Sequence, residues 1–523
     1  MEFSFFITTT IIFLFFLPLL FSFIKENGRK NFPPGPWKLP IIGNLHQLGI
    51  ISTLPHVALK ELSDKYGPLM HLKLGECSTI VISSYETLKE LLKTSDVAFA
   101  NRPELLVSKT VAYDGRDIGF APYGDYWRQM RKICSLELLS PKRVQSIYPL
   151  MNDEISRLVK SIKDSSLLSS WSMPVNMSEC FKSLSCAIIC RATVGMAFED
   201  PESLILAVKE ATAVAGLLCI SDLFPSFEFL QYVTGSKQKL MKAHQVCDRL
   251  LDEILREHEA SIEKKSHDEP IDHDEEDLLH LLLRLIREKE SHNFQIPITR
   301  ENIKAIILDM FIAGTDSTAT VLEWAMSELI KNPRVMKKVQ AEVRETLKGK
   351  KNSTIDHSDI QNMKYMKFVV KETLRLHPPG PLALPRESRE QCEINGYTIP
   401  NKTIALVNLW AMGRDPEYWH DPEKFEPERF KFVDDMVKSE NSIPPEFVGF
   451  GFGKRVCPGM SFGVANIEVA LANLLYHFDW KLPNDIANPE ELDMTEEFGG
   501  SVGRKNSLYL IALPYCTSQN LVF

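Results

Sequence analysis

Residues Thr299 to Lys331 carry the feature that most limits how this chain can fold, a single uninterrupted helical pattern. Thr299 is placed to cap it, Glu301 falls in the first turn where the helix dipole favours a carboxylate, and Asn332-Pro333 ends it. At 1.5 Å per residue such a helix spans about 48 Å. It is apolar through its middle, so it must cross the interior of a domain built around it. The expected class is mainly α with small β-sheets. Two short apolar runs, Leu69 to Leu74 and Thr79 to Ser83, flank Gly75-Glu76 and predict a hairpin. From about Thr87 helical periodicity dominates, and Gly235 to Ser261 is a long amphipathic pattern. Glu263 to Asp277 is densely charged and reads as a solvated connector, with His267 and His273 among its carboxylates. Mixed strand and loop return in the last third, with proline-rich stretches at Pro378 to Pro385 and Pro444-Pro445.

The ends and the charge narrow the class further. Phe3 to Ile24 is 22 residues without a charge, long enough to cross a bilayer as a helix. Lys25, Arg29 and Lys30 follow it, so the remainder is expected on the cytosolic side. A cleaved signal would place its positive charges before a shorter apolar core. Pro33-Pro34-Gly35-Pro36 then reads as a stiff spacer, with Trp37, Ile41 and Ile42 expected to seek burial. The expected map is an anchor over 1–24, a basic, proline-rich hinge over 25–44 and a catalytic domain over 45–523. A net charge of −9 without a basic block argues against nucleic acid as a partner. The ten cysteines form no CxxC pair, so a zinc or disulfide framework is not indicated. Cys180, Cys186 and Cys190 read as helix-face core in a reducing compartment.

Chemistry concentrates in a few motifs. Phe450-Gly451-Phe452-Gly453-Lys454-Arg455-Val456-Cys457-Pro458-Gly459 sets a thiol in a glycine-spaced loop. Glycines there let backbone N–H groups turn toward the sulfur, and such donors favour the thiolate that binds metal. One sulfur does not make a four-ligand zinc site, but it suits the axial ligand of a haem iron, where thiolate favours O–O cleavage. Mid-way along the long helix, Ala313-Gly314-Thr315-Asp316-Ser317-Thr318 gathers small residues, an acid and hydroxyls. These are poor helix formers together. They could open the backbone ladder into a groove, with Asp316, Ser317 and Thr318 relaying protons, or the hydroxyls could simply bond back to helix carbonyls.

Glu372 and Arg375 stand at i, i+3 on one helix, and Arg429 in Pro427-Glu428-Arg429-Phe430 is a candidate third member of a buried ion set. Trp127 and Arg131, one turn apart, aim an indole N–H and a guanidinium at one place, as if at an anionic group; Arg386 and Arg455 are further candidates.

With these motifs in this order the chain resembles a cytochrome P450 over its full length, of the plant A-type group of the endoplasmic reticulum. The resemblance implies the P450 fold after one N-terminal transmembrane helix. It implies haem b ligated by Cys457 in the loop opened by Phe450, with propionates held by Trp127, Arg131, Arg386 and Arg455. It implies a fold-locking triad of Glu372, Arg375 and Arg429. It also implies electrons from an NADPH-dependent reductase, with cytochrome b5 as a further partner. Ser317 stands where the family usually has Thr and lacks the methyl that fixes χ1.

By likeness to terpenoid and indole-alkaloid oxygenases, the pocket segments are Val111 to Phe120, Leu217 to Phe229, Ile306 to Ala313, Leu382 to Leu384 and Phe498 to Val502. They supply Ile118, Phe120, Ile312, Ala313, Leu382, Leu384 and Gly500, an apolar lining for a small lipophilic substrate. Asp309 is its acidic exception, either off the pocket or facing a basic amine. The leading expectation is a monooxygenase. The alternatives are a haem-thiolate isomerase or dehydratase that needs no dioxygen, an oxygenase of phenolics or fatty acids, and a non-catalytic binder.

Overall fold

The structure is a computed structural model that describes residues 31–52, 54–168, 173–195, 206, 219–265, 277–287, 296–350, 354–431, 449–483 and 488–515. The expected anchor over 1–24, its basic flank, His267, His273 and Pro444-Pro445 lie outside the described residues. The chain forms two compact units, the first comprising residues 1–103, 223–228 and 385–408, the second the rest.

The first unit is built on a four-stranded sheet. Strands Leu69–Leu74 and Cys77–Ile82 form the expected hairpin, turning at Gly75, whose φ of +61° a glycine takes without strain. Ile404–Val407 pairs parallel to Cys77–Ile82, and Arg386–Glu387 completes the edge. A second hairpin, Cys392–Ile394 with Tyr397–Ile399, turns through Asn395 and Gly396, both at positive φ, the geometry that matches strand twist. Helices α1 (Pro55–Tyr66) and α2 (Tyr85–Ser95) belong to this unit, and the Ser84 hydroxyl caps α2 at the Thr87 N–H.

The proline-rich segment departs from expectation. Trp37 and Ile41 are each 64% exposed rather than buried. Backbone contacts hold the segment instead: the His71 N–H donates to the Pro34 carbonyl, and the Asn44 amide donates to the Pro36 and Trp37 carbonyls. A Cβ at Gly35 would lie 2.0 Å from the His71 carbonyl oxygen, so only glycine lets the chain approach this closely.

The second unit is helical: α3 (Asp125–Glu137), α4 (Tyr148–Leu168), α5 (Met177–Val194), α6 (Ser236–Lys265), α7 (Leu278–Arg287), α8 (Arg300–Lys331), α9 (Pro333–Thr346), α10 (Lys364–Leu376) and α11 (Met460–His477). Helix α8 is the central pattern read from the sequence. The Thr299 hydroxyl accepts the Asn302 N–H, the Asn302 side chain answers the Thr299 N–H, and Asn332 closes the helix. Among the described residues it is the one helix apolar and long enough to cross a membrane, yet protein already buries most of it, so it is a core helix. It packs most extensively on α5. A Cβ at Gly314 would sit 2.9 Å from Ile189 Cγ1 on α5, so the glycine lets the two backbones close together. Two small sheets complete the unit, one of Val175–Asn176, Tyr509–Pro514 and Phe478–Lys481, the other of Glu496–Phe498 and Val502–Arg504.

Helix α11 carries a buried acid. Glu468 is 6% exposed, and burial pushes its carboxyl up to about 7 against the pull of Lys367 and Lys371. A carboxyl raised in the folded state contributes stability below its unfolded pKa, and that contribution is lost as pH rises through about 7. Glu468→Gln is therefore expected to gain about 2–3 kcal/mol on the parent between pH 5 and pH 8. Urea midpoints at the two pH values measure this; parallel curves for parent and variant contradict it.

Candidate active site

The loop around Cys457 is held by its own backbone. The Cys457 N–H donates to the Phe450 carbonyl over 2.8 Å, and Gly451 and Gly453 take φ of +78° and +57° to make the reversal. Burial pushes the Cys457 thiol up, while the Gly459 N–H and the Arg131 charge pull it down. The donors expected from the glycines are present, but burial outweighs them. A bound metal would take this sulfur in its deprotonated form.

Around the loop lies a cationic knot. Trp127 is buried, and the Arg131 and Arg455 guanidiniums lie 5.2 and 4.3 Å from the centre of its ring. Arg455 donates to the Ile118 and Ala121 carbonyls, the Trp127 indole N–H donates to the Ile118 carbonyl, and Arg131 donates to the Val456 carbonyl. The indole N–H thus faces a backbone carbonyl. Burial pulls the Arg131 guanidinium below its ordinary value, and its one hydrogen bond among the described residues leaves donors to spare. A half-buried guanidinium with spare donors beside a half-buried thiol fits a metal-bearing macrocycle with acidic side arms. Arg386 lies in the other unit, where it is buried and pairs with Asp96 at 3.2 Å.

Helix α8 carries the Ala313 to Thr318 run. The sequence allowed its ladder to open at Gly314, but the helix runs unbroken from Arg300 to Lys331, because α5 packs tightly on that turn. What opens here is set by side-chain size and packing instead. Phe311, Thr315, Thr318 and Ala319 are buried, whereas Ile312, Gly314, Asp316 and Ser317 are half-open and Ala313 is exposed. At 100° per residue the open positions form one stripe with Ala313, Asp316 and Ser317 along it, and Thr318 turns to the covered side. The Ser317 hydroxyl donates to the Ala313 carbonyl over 2.6 Å, the back-bonded arrangement, and keeps lone pairs to accept a second proton donor.

Further contacts join the expected pocket segments of this unit. The Asp309 carboxylate on α8 accepts the N–H groups of Ile118 and Gly119, each at 3.1 Å. It therefore ties the 111–120 loop to α8. Asp117 is 2% exposed, and burial together with Asp309 pushes its carboxyl well up. The Val502 N–H donates to the Pro379 carbonyl, and the Trp324 indole on α8 donates to the Val502 carbonyl. Phe120, Ile312, Leu382, Leu384, Ala313 and Gly500 keep exposed surface; Ile118 is buried and serves through its backbone. The part of the Leu217 to Phe229 segment at 217–218 lies outside the described residues. Asp117 was not singled out by the sequence; its signal is an acid eight residues before Asp125, too common to act on alone.

Glu372, Arg375 and Arg429 come together. Glu372 is fully buried and takes a two-pronged bond from Arg375, at 2.7 and 2.9 Å, and one from Arg429 at 2.9 Å. The Glu426 N–H is a fourth donor to the same carboxylate, over 2.7 Å.

Comparison with known proteins agrees with this geometry. A family model described as Cytochrome P450 matches residues 33–510. Premnaspirodiene oxygenase of Hyoscyamus muticus is 47% identical over 97% of this chain and 98% of its own length. Desmethyl-deoxy-podophyllotoxin synthase of Sinopodophyllum hexandrum is 49% identical over 94% of each chain. A solved zebrafish cytochrome P450 superposes with a TM-score of 0.71 at 24% identity, covering 88% of this chain and all of that one, a likeness of fold.

Proposed function

This chain belongs to the cytochrome P450 family and is a haem-thiolate monooxygenase, and we propose that it oxidises a lipophilic terpenoid by hydroxylation or epoxidation. Bound haem supplies the activation of dioxygen, from which one atom enters the substrate. Cys457 would supply the thiolate ligand, and Arg131 and Arg455, both packed on the Trp127 ring, would seat the acidic side arms. Phe450 closes the loop through its carbonyl. Glu372, Arg375 and Arg429 lock the fold behind it. Electrons come from an NADPH-dependent reductase, with cytochrome b5 as a second donor. Residues 1–24 anchor the chain as a single pass in the endoplasmic reticulum, with the catalytic body in the cytosol. The exposed Trp37 and Ile41 support a membrane face just after that anchor.

One observation carries the reading: a half-open, largely apolar stripe on an otherwise buried helix, with an acid and a hydroxyl along it. The apolar residues orient a lipophilic skeleton. Asp316 and Ser317 hold and move protons, Ser317 passing one at its Oγ after leaving the Ala313 carbonyl. Ser317→Ala is expected to lower product per NADPH about tenfold and to raise peroxide release to match, a positioned proton donor contributing about a hundredfold or more. Thr318→Ala, on the covered side, is expected to leave the ratio unchanged. Peroxide and product assays on both variants check this; the reverse order moves the relay to Thr318.

Substrate class is tested by optical titration of the ferric holoenzyme with terpenoids, terpenoid-derived indole alkaloids, phenolics and fatty acids. A low-spin to high-spin shift with a terpenoid supports the proposal. A shift only with a phenolic or fatty acid overturns it and favours the second reading, for which the relative named for desmethyl-deoxy-podophyllotoxin argues. Asp309 already accepts two N–H groups from the loop, so recognition of a basic amine through it is not favoured. Turnover without NADPH would point to an isomerase or dehydratase instead.

A further inference from the structure

Three helices of the second unit meet at a cluster that the oxygenase chemistry does not use. His258 on α6 is buried, with both ring nitrogens 2.9 Å from backbone carbonyls: Nδ1 from Ile254 and Nε2 from Val194. A neutral imidazole has one N–H, so one of these contacts sets lone pair against lone pair unless a positive centre lies between them. Asp277 brings its Oδ2 to 3.6 Å from His258 Nε2 and to 2.7 Å from His280 Nδ1. All three candidate ligand atoms lie within 4.8 Å of one another.

The backbone is shaped to let that carboxylate in. Asp277 lies against Gly195, the left-handed cap of α5, where a Cβ would stand 2.5 Å from its Oδ2. The α5 dipole opposes a carboxylate at its carbonyl end, while the N-terminus of α7 favours it there, the His280 N–H donating to Asp277 Oδ1 over 2.8 Å.

We propose that His258 Nε2, Asp277 Oδ2 and His280 Nδ1 form a binding site for a divalent cation of the zinc class, joining α5, α6 and α7. Two imidazole nitrogens and one carboxylate oxygen are the donor set such a metal prefers, and they disfavour magnesium and calcium. The Nδ1–H of His258, bonded to the Ile254 carbonyl, fixes the tautomer that leaves Nε2 free to ligate. The Val194 carbonyl or a water fills the fourth position. Protons compete with the metal for its imidazole and carboxylate ligands, so affinity falls with acid. A second proton on His258 would also settle its two carbonyls.

The test is calorimetric titration of the full-length holoenzyme with zinc chloride, with magnesium as control, on the parent and on His280→Ala. His280 is partly exposed, and an unchanged thiolate-type carbon monoxide spectrum shows that the variant is folded. The expected result is one site in the parent, weakened at least tenfold in the variant. Zinc is also expected to raise the thermal midpoint of the parent alone. A parent that takes up no zinc, or a variant that binds it as tightly, overturns the site and leaves a protonated His258 paired with Asp277.

Discussion

Glu372→Gln is expected to abolish accumulation of folded, haem-loaded protein. The substitution keeps the shape of the side chain but removes the charge that holds two guanidiniums inside the second unit. Arg375 also donates to the carbonyls of Gly413, Pro422 and Lys424, and Arg429 to those of His420 and Lys424. The carboxylate therefore sets the position of two clamps that fasten the 413–429 segment to α10. Removing one partner of a buried ion pair costs about 3–5 kcal/mol, because the other charge stays buried without its counter-ion. Here two cations are stranded at once, against a total stability of about 5–15 kcal/mol. Expression followed by carbon monoxide difference spectroscopy and urea unfolding measures the effect. A variant that accumulates normally with an unchanged unfolding midpoint would show that the triad is not what closes this part of the fold.

Cys457→Ser is expected to remove the thiolate-type carbon monoxide spectrum and to lower turnover by more than about a hundredfold. Loss of a supporting partner of a metal ligand alone costs about 10–100-fold, and this variant loses the ligand itself. Cys457→His is the informative companion. An imidazole in the same loop would give a spectrum of the histidine-ligated kind without restoring oxygenation, because it does not push electron density as thiolate does. If Cys457→Ser kept the thiolate-type spectrum, one of the other cysteines would have to be the ligand. Of these, Cys134, Cys186, Cys190 and Cys247 are buried, and Cys186 and Cys190 face each other within α5 at 3.8 Å.

The features that were legible in the sequence are short-range ones. The ends of α8 follow from Thr299 and Asn332-Pro333, and the first hairpin follows from Gly75 between two apolar runs. The Cys457 loop and the Glu372–Arg375 pair are equally local, since glycine spacing and an i, i+3 offset are written within ten residues. The unbroken ladder at Gly314 was less legible. Local propensity argues for a weak turn there, and only the packing of Ile189 shows why the turn holds. The exposure of Trp37 and Ile41 ran against their hydrophobicity, because backbone bonds to the neighbouring strand had already set the path.

By itself, then, the sequence determined a mainly helical enzyme built round one long apolar helix, with a single thiol presented by a glycine-spaced loop. It did so through periodicity, caps and turn residues, all of which act over a few positions. Only the tertiary structure decided which residues of α8 stay open, so that Ser317 rather than Thr318 lies on the open side. It also set Asp309 against Ile118 and Gly119, 190 residues away or more, and brought His258 to Asp277 beside Gly195. Such pairings follow from where whole helices pack, and a helix pattern specifies its own buried face without saying which side chains of another helix will meet it.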